Sequence, residues 1–177
     1  MILAALEQQA LVALIVYSSD GLSLLKTATQ ALSKHMEAEK MSSVYKIKGS
    51  LNRFSHVHDI ASVDGFQGIT VAVKGFIKQG PEQFVKDCMA VEKQMNLQDK
   101  TLEIVVLCVE DLTRMQSDLC LPYPEWHRRV ELLVPSSEVW GDYQHPILGE
   151  SVYNLSQKMS DKKWGSFFAQ GKSLLES

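Results

Sequence analysis

At 177 residues, with 45% hydrophobic and 22% charged side chains, the chain has the composition of one globular domain with its own core. A net charge of −3 leaves no basic excess to neutralise phosphates, which excludes nucleic acid as the expected partner, although a local basic cluster would suffice for one small anion. The three cysteines, Cys88, Cys108 and Cys120, have no C-x-x-C spacing, so neither a disulfide framework nor structural zinc is expected and a reducing compartment is.

The opening run "MILAALEQQ" lacks a basic start and carries Glu7, so it is expected to be a short helical extension and not a cleaved signal. "ALVALIVY" (Ala10–Tyr17) is continuously apolar, as in a central strand. After the turn "SSDG", apolar residues at Leu22, Leu25, Ala28, Leu32 and Met36 keep helical spacing. "SSVYKIKG" (Ser42–Gly49) alternates like a half-buried strand, the stretch from Ser50 to Gly65 is a long polar loop, and "FQGITVAVKGFI" (Phe66–Ile77) is a strand with Gly68 and Gly75 as bulge positions. Gly80–Pro81 opens a helix with an apolar face at Phe84, Val85, Cys88, Val91 and Met95. "LEIVVLCV" (Leu102–Val109) is a buried strand with a lone acid, Glu103.

This order, β-α-β-β-α-β, is the split βαβ pattern of a ferredoxin-like α+β sandwich, with both helices on one sheet face. The other face is to be covered by the C-terminal part of the chain, or to line a site. Beyond Glu110 the chain turns to Pro-punctuated segments, with short helices expected at Trp126–Leu133 and Ser151–Lys158 as an additional C-terminal helical segment. The tail with Trp164, Phe167 and Phe168 is expected to be a last amphipathic helix packed on the domain. No stretch has transmembrane length, so one cytoplasmic domain, residues 1–177 with its core at about 10–158, is the expectation.

Phosphate-loop, dinucleotide and H-E-x-x-H signatures are absent. His56 and His58, beside Asp59, alternate in the long loop, but two histidines fall short of the three or four ligands a metal site needs. In "YPEWHRRVELLVP", Arg128 and Arg129 cannot both face the core, and one of them is placed to fork onto phosphate oxygens.

"LPYPEWHRRVELLVPSSEVWGDYQHPILGESVYNL" resembles the C-terminal signature of hydroxymethyl-dihydropterin pyrophosphokinase, approximately V-P-H-P-x-x-x-x-R-x-F-V-L-x-P-L-x-E-I-x-P followed by H-P-x-L-G. Pro122, Pro124, Arg129, Leu132, Pro135, Glu138, His145, Pro146, Leu148 and Gly149 fall in register. "KTLEIVVL" is similar to the family's R-T-L-D-[IL]-D-[IL]-L strand, "SSVYKIKG" to its S-S-x-Y-x-T-x-P strand, and Val91–Glu92 to its I-E-containing helix. The resemblance runs from the first strand to Leu155 and implies the same ferredoxin-like fold. It also implies a reaction in which ATP gives pyrophosphate to a reduced pterin, with two magnesium ions held by the aspartates of D-x-D. Positions i and i+2 of a strand share a face, so two such carboxylates reach the same cations.

The departures from that pattern bear on the site. The D-x-D positions are Glu103 and Val105, and valine ligates no metal. Phe66 keeps the family's stacking aromatic, but the pterin-reading asparagine falls on Gly68, the apolar cover on Glu131 and the V-P-H-P histidine on Tyr123. The long G-R-x-R loop is reduced to "KQMNLQD", and Lys100 replaces the strand's leading arginine. Arg129 is the surviving phosphate contact, with Glu92, Glu103 and Lys100 as partial relics.

The expectation is therefore a pyrophosphokinase-like protein without the family's transfer reaction, acting as a binding or interaction module for an unidentified small molecule or protein. No cofactor is expected under this reading. The alternative is a divergent active enzyme using magnesium and ATP, with a second metal ligand from Glu110, Asp111, Asp59 or Asp64. A third reading rebuilds the cleft with Arg53, Phe54, His56 and His58 for another ligand.

Overall fold

The computed structural model describes residues 7–18, 21–47, 68–97, 101–159 and 164–176. In chain order the elements are β1 (Gln9–Val16), α1 (Gly21–Leu32), β2 (Met36–Met41), β3 (Val44–Ile47), β4 (Gly68–Ile77), α2 (Pro81–Met95) and β5 (Leu102–Val109). A hairpin of β6 (Arg114–Gln116) and β7 (Leu119–Leu121) comes next, then a 3-10 turn (Trp126–Arg128), α3 (Val130–Trp140), α4 (Val152–Lys158), β8 (Gly165–Ala169) and a last 3-10 turn (Gly171–Leu174). The main sheet runs β5-β1-β4-β3-β8, with β2 also paired to β4 and every pairing antiparallel. Since β2 and β3 together form the second strand, this is the expected ferredoxin-like order.

The unbroken apolar run of β1 follows from its position, because both of its faces are covered. Val12, Leu14 and Val16 face Leu25, Ala28 and Leu32 of α1 and Phe84 and Cys88 of α2. Leu11, Ala13, Ile15 and Tyr17 face Trp126, Leu132, Leu133 and Val139, with Val152 and Leu155 of α4 in the same cluster. The C-terminal helices thus cover the second face. A bulge in β5 opposite Leu11–Val12 puts Leu107 and Cys108 on that one face in succession.

Three elements differ from the sequence expectation. Met36 begins β2 and does not close α1, which ends at Leu32; as the residue four beyond Leu32 it satisfies helical spacing, yet it enters the same core from a strand. The bulge expected on β4 lies on its partner, where Glu39 is extra between Ala38 and Lys40, opposite Gly75 and Lys74. Gly75 is needed there because a Cβ would collide with the Glu37 carbonyl, while Glu39 reaches Lys74 at 3.1 Å. The tail forms the edge strand β8 on β3 in place of a helix. Gly165 and Gly171 lie so close to the Lys46 and Ser42 carbonyls that a Cβ would clash at either, and Trp164 packs on Tyr45 with ring centroids 5.4 Å apart. Phe167 and Phe168 remain exposed. The helix expected at Trp126–Leu133 is divided into the 3-10 turn and α3, with Arg129 between them.

Pro135 lies inside α3 and has no N–H to offer the carbonyl of Glu131. The hydroxyl of Thr70, fully buried on β4, donates to that carbonyl at 3.0 Å and fixes the helix on the sheet. Replacing Thr70 with Val leaves a buried carbonyl unpaired and is expected to cost about 1–3 kcal/mol in urea denaturation. An unchanged midpoint would show that water satisfies the group.

Candidate functional site

Arg129 has an extended backbone (φ −112, ψ 98) at the start of α3, which turns its side chain inward between β5 and the helix, while Arg128 stays exposed. The guanidinium is only 7% exposed. Nη1 and Nη2 donate to the two carboxylate oxygens of Glu103 at 2.7 and 3.0 Å, and Nε donates to Glu131 at 2.5 Å. The Tyr17 hydroxyl donates to Glu103 Oε2 at 2.8 Å, and Nη1 also reaches the Tyr123 hydroxyl at 3.4 Å. The fork expected to meet phosphate therefore grips a carboxylate of the same chain.

Burial works against the charge of Arg129, but its hydrogen bonds to Glu103 and the charges of Glu103 and Glu131 more than offset that, so it stays protonated. Burial raises the Glu131 carboxyl above the usual range, with Arg129 pulling it only partly back. Burial first, then the charge of Glu103, pushes the Tyr17 hydroxyl far up, so it keeps the proton that it donates to Glu103. On α2, Glu92 accepts the Ile104 N–H at 2.7 Å; burial raises its carboxyl and this hydrogen bond opposes the rise.

Val105, the second D-x-D position, is 6% exposed and packs in the core cluster with Leu107 and Trp126. Glu110 stands at the opposite end of β5 from Glu103, its carboxylate taken by the Gln9 N–H at 2.6 Å, and Asp111 adjoins it. At Gly68 a Cβ would come within 3.3 Å of Ile47 and of the Val16 carbonyl, so an asparagine there would be tight. His145 in the H-P-x-L-G turn is a structural group. Its Nδ1 accepts the N–H groups of Ile147 and Leu148 at 3.3 and 3.2 Å, burial lowers its pKa, and Gly149 takes φ +67 to close the turn. Glu138 accepts from the Ser43 N–H at 2.8 Å and from the Tyr45 hydroxyl, tying α3 to β3. Lys100, Phe66 and the loop residues Arg53, Phe54, His56, His58, Asp59 and Asp64 lie outside the described residues.

A cleft of about 510 Å³ opens beside this cluster, between α2, the outer edge of β5, the β6–β7 hairpin and Tyr123–Glu125. Glu92 and Glu103 both line it. Among the described residues no group of three metal-ligating side chains occurs, and no helix is long and apolar enough to cross a membrane. Tyr17 and Glu131 are the partners that sequence reasoning missed. The available signal was a second acid, two positions beyond an inward-facing arginine, where the resembled family has an apolar residue.

No family model matches the chain, and no curated protein does. Solved structures do. An HPPK-DHPS in complex with substrates superposes with a TM-score of 0.68 at 10% identity, covering 88% of this chain and 43% of that one. The wild-type HPPK-DHPS of Plasmodium falciparum gives 0.67 at 12% identity over 88% and 45% of the two chains. The same protein with pteroate gives 0.66 at 12% identity over the same shares. The chain thus has a pyrophosphokinase-like fold and spans less than half the length of the solved chains it matches.

Two outcomes test the charge cluster. Arg129→Met, which strands two buried carboxylates, is expected to destabilise the protein by about 3–5 kcal/mol, whereas adding Glu103→Leu and Glu131→Leu returns stability to within about 1 kcal/mol of the starting protein or above it. Chemical denaturation of the variants measures both. Because the folded-state pKa of Glu131 is raised, its ionisation opposes folding, and this penalty is relieved as pH falls through the raised pKa. The stability of the unmodified protein relative to Glu131→Gln should therefore rise between pH 7 and pH 4 in paired urea titrations. A fall would mean that Arg129 keeps Glu131 ionised.

Proposed function

We propose that this pyrophosphokinase-like protein does not transfer pyrophosphate from ATP and works as a binding or interaction module. One observation carries the reading: the Arg129 guanidinium, the phosphate contact implied by the resemblance, is buried and engaged by Glu103 and Glu131. A nucleotide phosphate would have to displace a bidentate carboxylate from a guanidinium that is itself buried.

The donor set is also unsuited to two magnesium ions. Hard cations need carboxylates directed at a common point, but both oxygens of Glu103 are hydrogen-bonded and the i+2 position is the hydrocarbon of Val105. Glu110 and Asp111 lie at the wrong end of β5 to substitute. Glu92, Glu103, Asp118 and Glu125 line the cleft, with no Lys, Arg or His among its described lining residues, so a triphosphate would meet like charge. Losing one electrostatic contact of this kind commonly costs about 10²–10³ in rate, and here several are missing together.

The test is AMP release from magnesium-ATP and the hydroxymethyl pterin at high protein concentration, paired with calorimetry using a non-hydrolysable ATP analogue. Expected are AMP at the protein-free level and no saturable heat from a sample that melts cooperatively. Protein-dependent AMP would overturn the reading.

A further inference from the structure

β5 is the outermost strand on its side of the sheet, with β1 as its neighbour. Its outer edge is partly closed by groups that are not strands. Asn96 accepts the Leu102 N–H at 3.0 Å and donates to the Leu102 carbonyl at 2.7 Å, Glu92 takes the Ile104 N–H, and the Tyr123 N–H donates to the Leu107 carbonyl at 2.8 Å. The gap lies between these closures. Residues of an antiparallel strand point their N–H and C=O alternately to the two sides. Ile104 shows its outward sense by bonding Glu92, so its carbonyl, and the N–H and carbonyl of Val106, face the cleft.

The cleft is both apolar and acidic, and Glu92 of α2 is among its carboxylates. α2 contributes Val85, Cys88 and Met89, the last 63% exposed, and the opposite rim carries Asp118 and Glu125. An open run of backbone donors and acceptors is met best by another backbone, and a strand laid along it projects successive side chains to opposite sides. Apolar side chains of such a strand would meet the hydrocarbon of the lining, and cationic ones its carboxylates.

We propose that this cleft takes up a short extended peptide segment, alternating apolar residues with Lys or Arg, which pairs with the Ile104–Val106 edge as an added strand. The proposal rests on the binding-module reading and names its partner. Charge complementarity selects the occupant: an acidic or phosphorylated segment would be repelled by the carboxylates that exclude a triphosphate.

Fluorescence anisotropy of the full chain with a labelled eight-residue peptide alternating lysine and valine tests it. Expected is saturable binding that weakens with salt, and a loss of at least about fivefold when the peptide nitrogens facing the edge are methylated. Val106→Pro should cause a similar loss. That N–H faces outward and proline is tolerated at such edge positions, so the fold should survive, as circular dichroism would verify. Asp118→Lys with Glu125→Lys should also weaken binding. The methylated peptide uses the unmodified protein, so the test stands even if Val106→Pro fails to fold. Equal binding of the methylated peptide would mean that a cationic side chain, and not a strand, occupies the cleft, and would overturn the proposal. Equal binding of a glutamate-valine peptide, or no binding at all, would overturn it too. AMP release would sink the binding-module reading by a separate assay, whereas peptide failure without AMP sinks only this choice of occupant.

Discussion

The guanidinium of Arg129 has left water, and it is tolerable in the interior only because two carboxylates and two phenols surround it. A lone buried cation would cost several kcal/mol, and so would each carboxylate alone. The groups are therefore interdependent, and they arrive from distant parts of the chain: Tyr17 from the end of β1, Glu103 from β5, Tyr123 from the segment before the 3-10 turn, Glu131 from α3. Their meeting defines how the C-terminal helices sit on the sheet. An apolar contact would tolerate some slippage there, but a bidentate fork does not.

The same cluster sits within a fold that the chain shares with solved structures of very different sequence. The superposition covers 88% of this chain with TM-scores of 0.66–0.68, at sequence identities of 10–12%. Such a likeness speaks for the architecture alone, since function resides in particular side chains. Here those side chains satisfy one another. What stays open to solvent is the cleft beside them, bounded by a strand edge and by acids, whose character differs from a phosphate cradle.

Much of this architecture is legible in the sequence, because periodicity and turn chemistry are local. β1, α2 and β5 lie where their apolar patterns put them, and the order of elements dictates the topology. The misplacements have a shared cause. Met36 fits both a helix face and a strand start, and only its pairing with Ile77 decides. The tail satisfies a helical pattern, but its glycines allow a close backbone approach to β3 that no local signal announces. At the site, Glu103, Arg129 and Glu131 each stand out in the sequence, while their mutual engagement does not, because the contact between β5 and α3 is tertiary. By pattern alone Glu131 is the loss of an apolar surface, and the structure makes it the second counter-ion of Arg129.

Glu131 also faces two ways. Its side chain holds Arg129, and its carbonyl, released by Pro135, holds Thr70 on β4. A helix fastened at one residue by both backbone and side chain cannot shear along the sheet without breaking a charge pair and a buried hydrogen bond together. The cleft itself is walled by α2, the edge of β5 and the β6–β7 hairpin, and α3 contributes no lining residue to it. There Leu119 and Leu121 root β7 in the main core while β6 lies wholly exposed, so the hairpin meets the cleft as a wall fastened along one strand and solvated along the other.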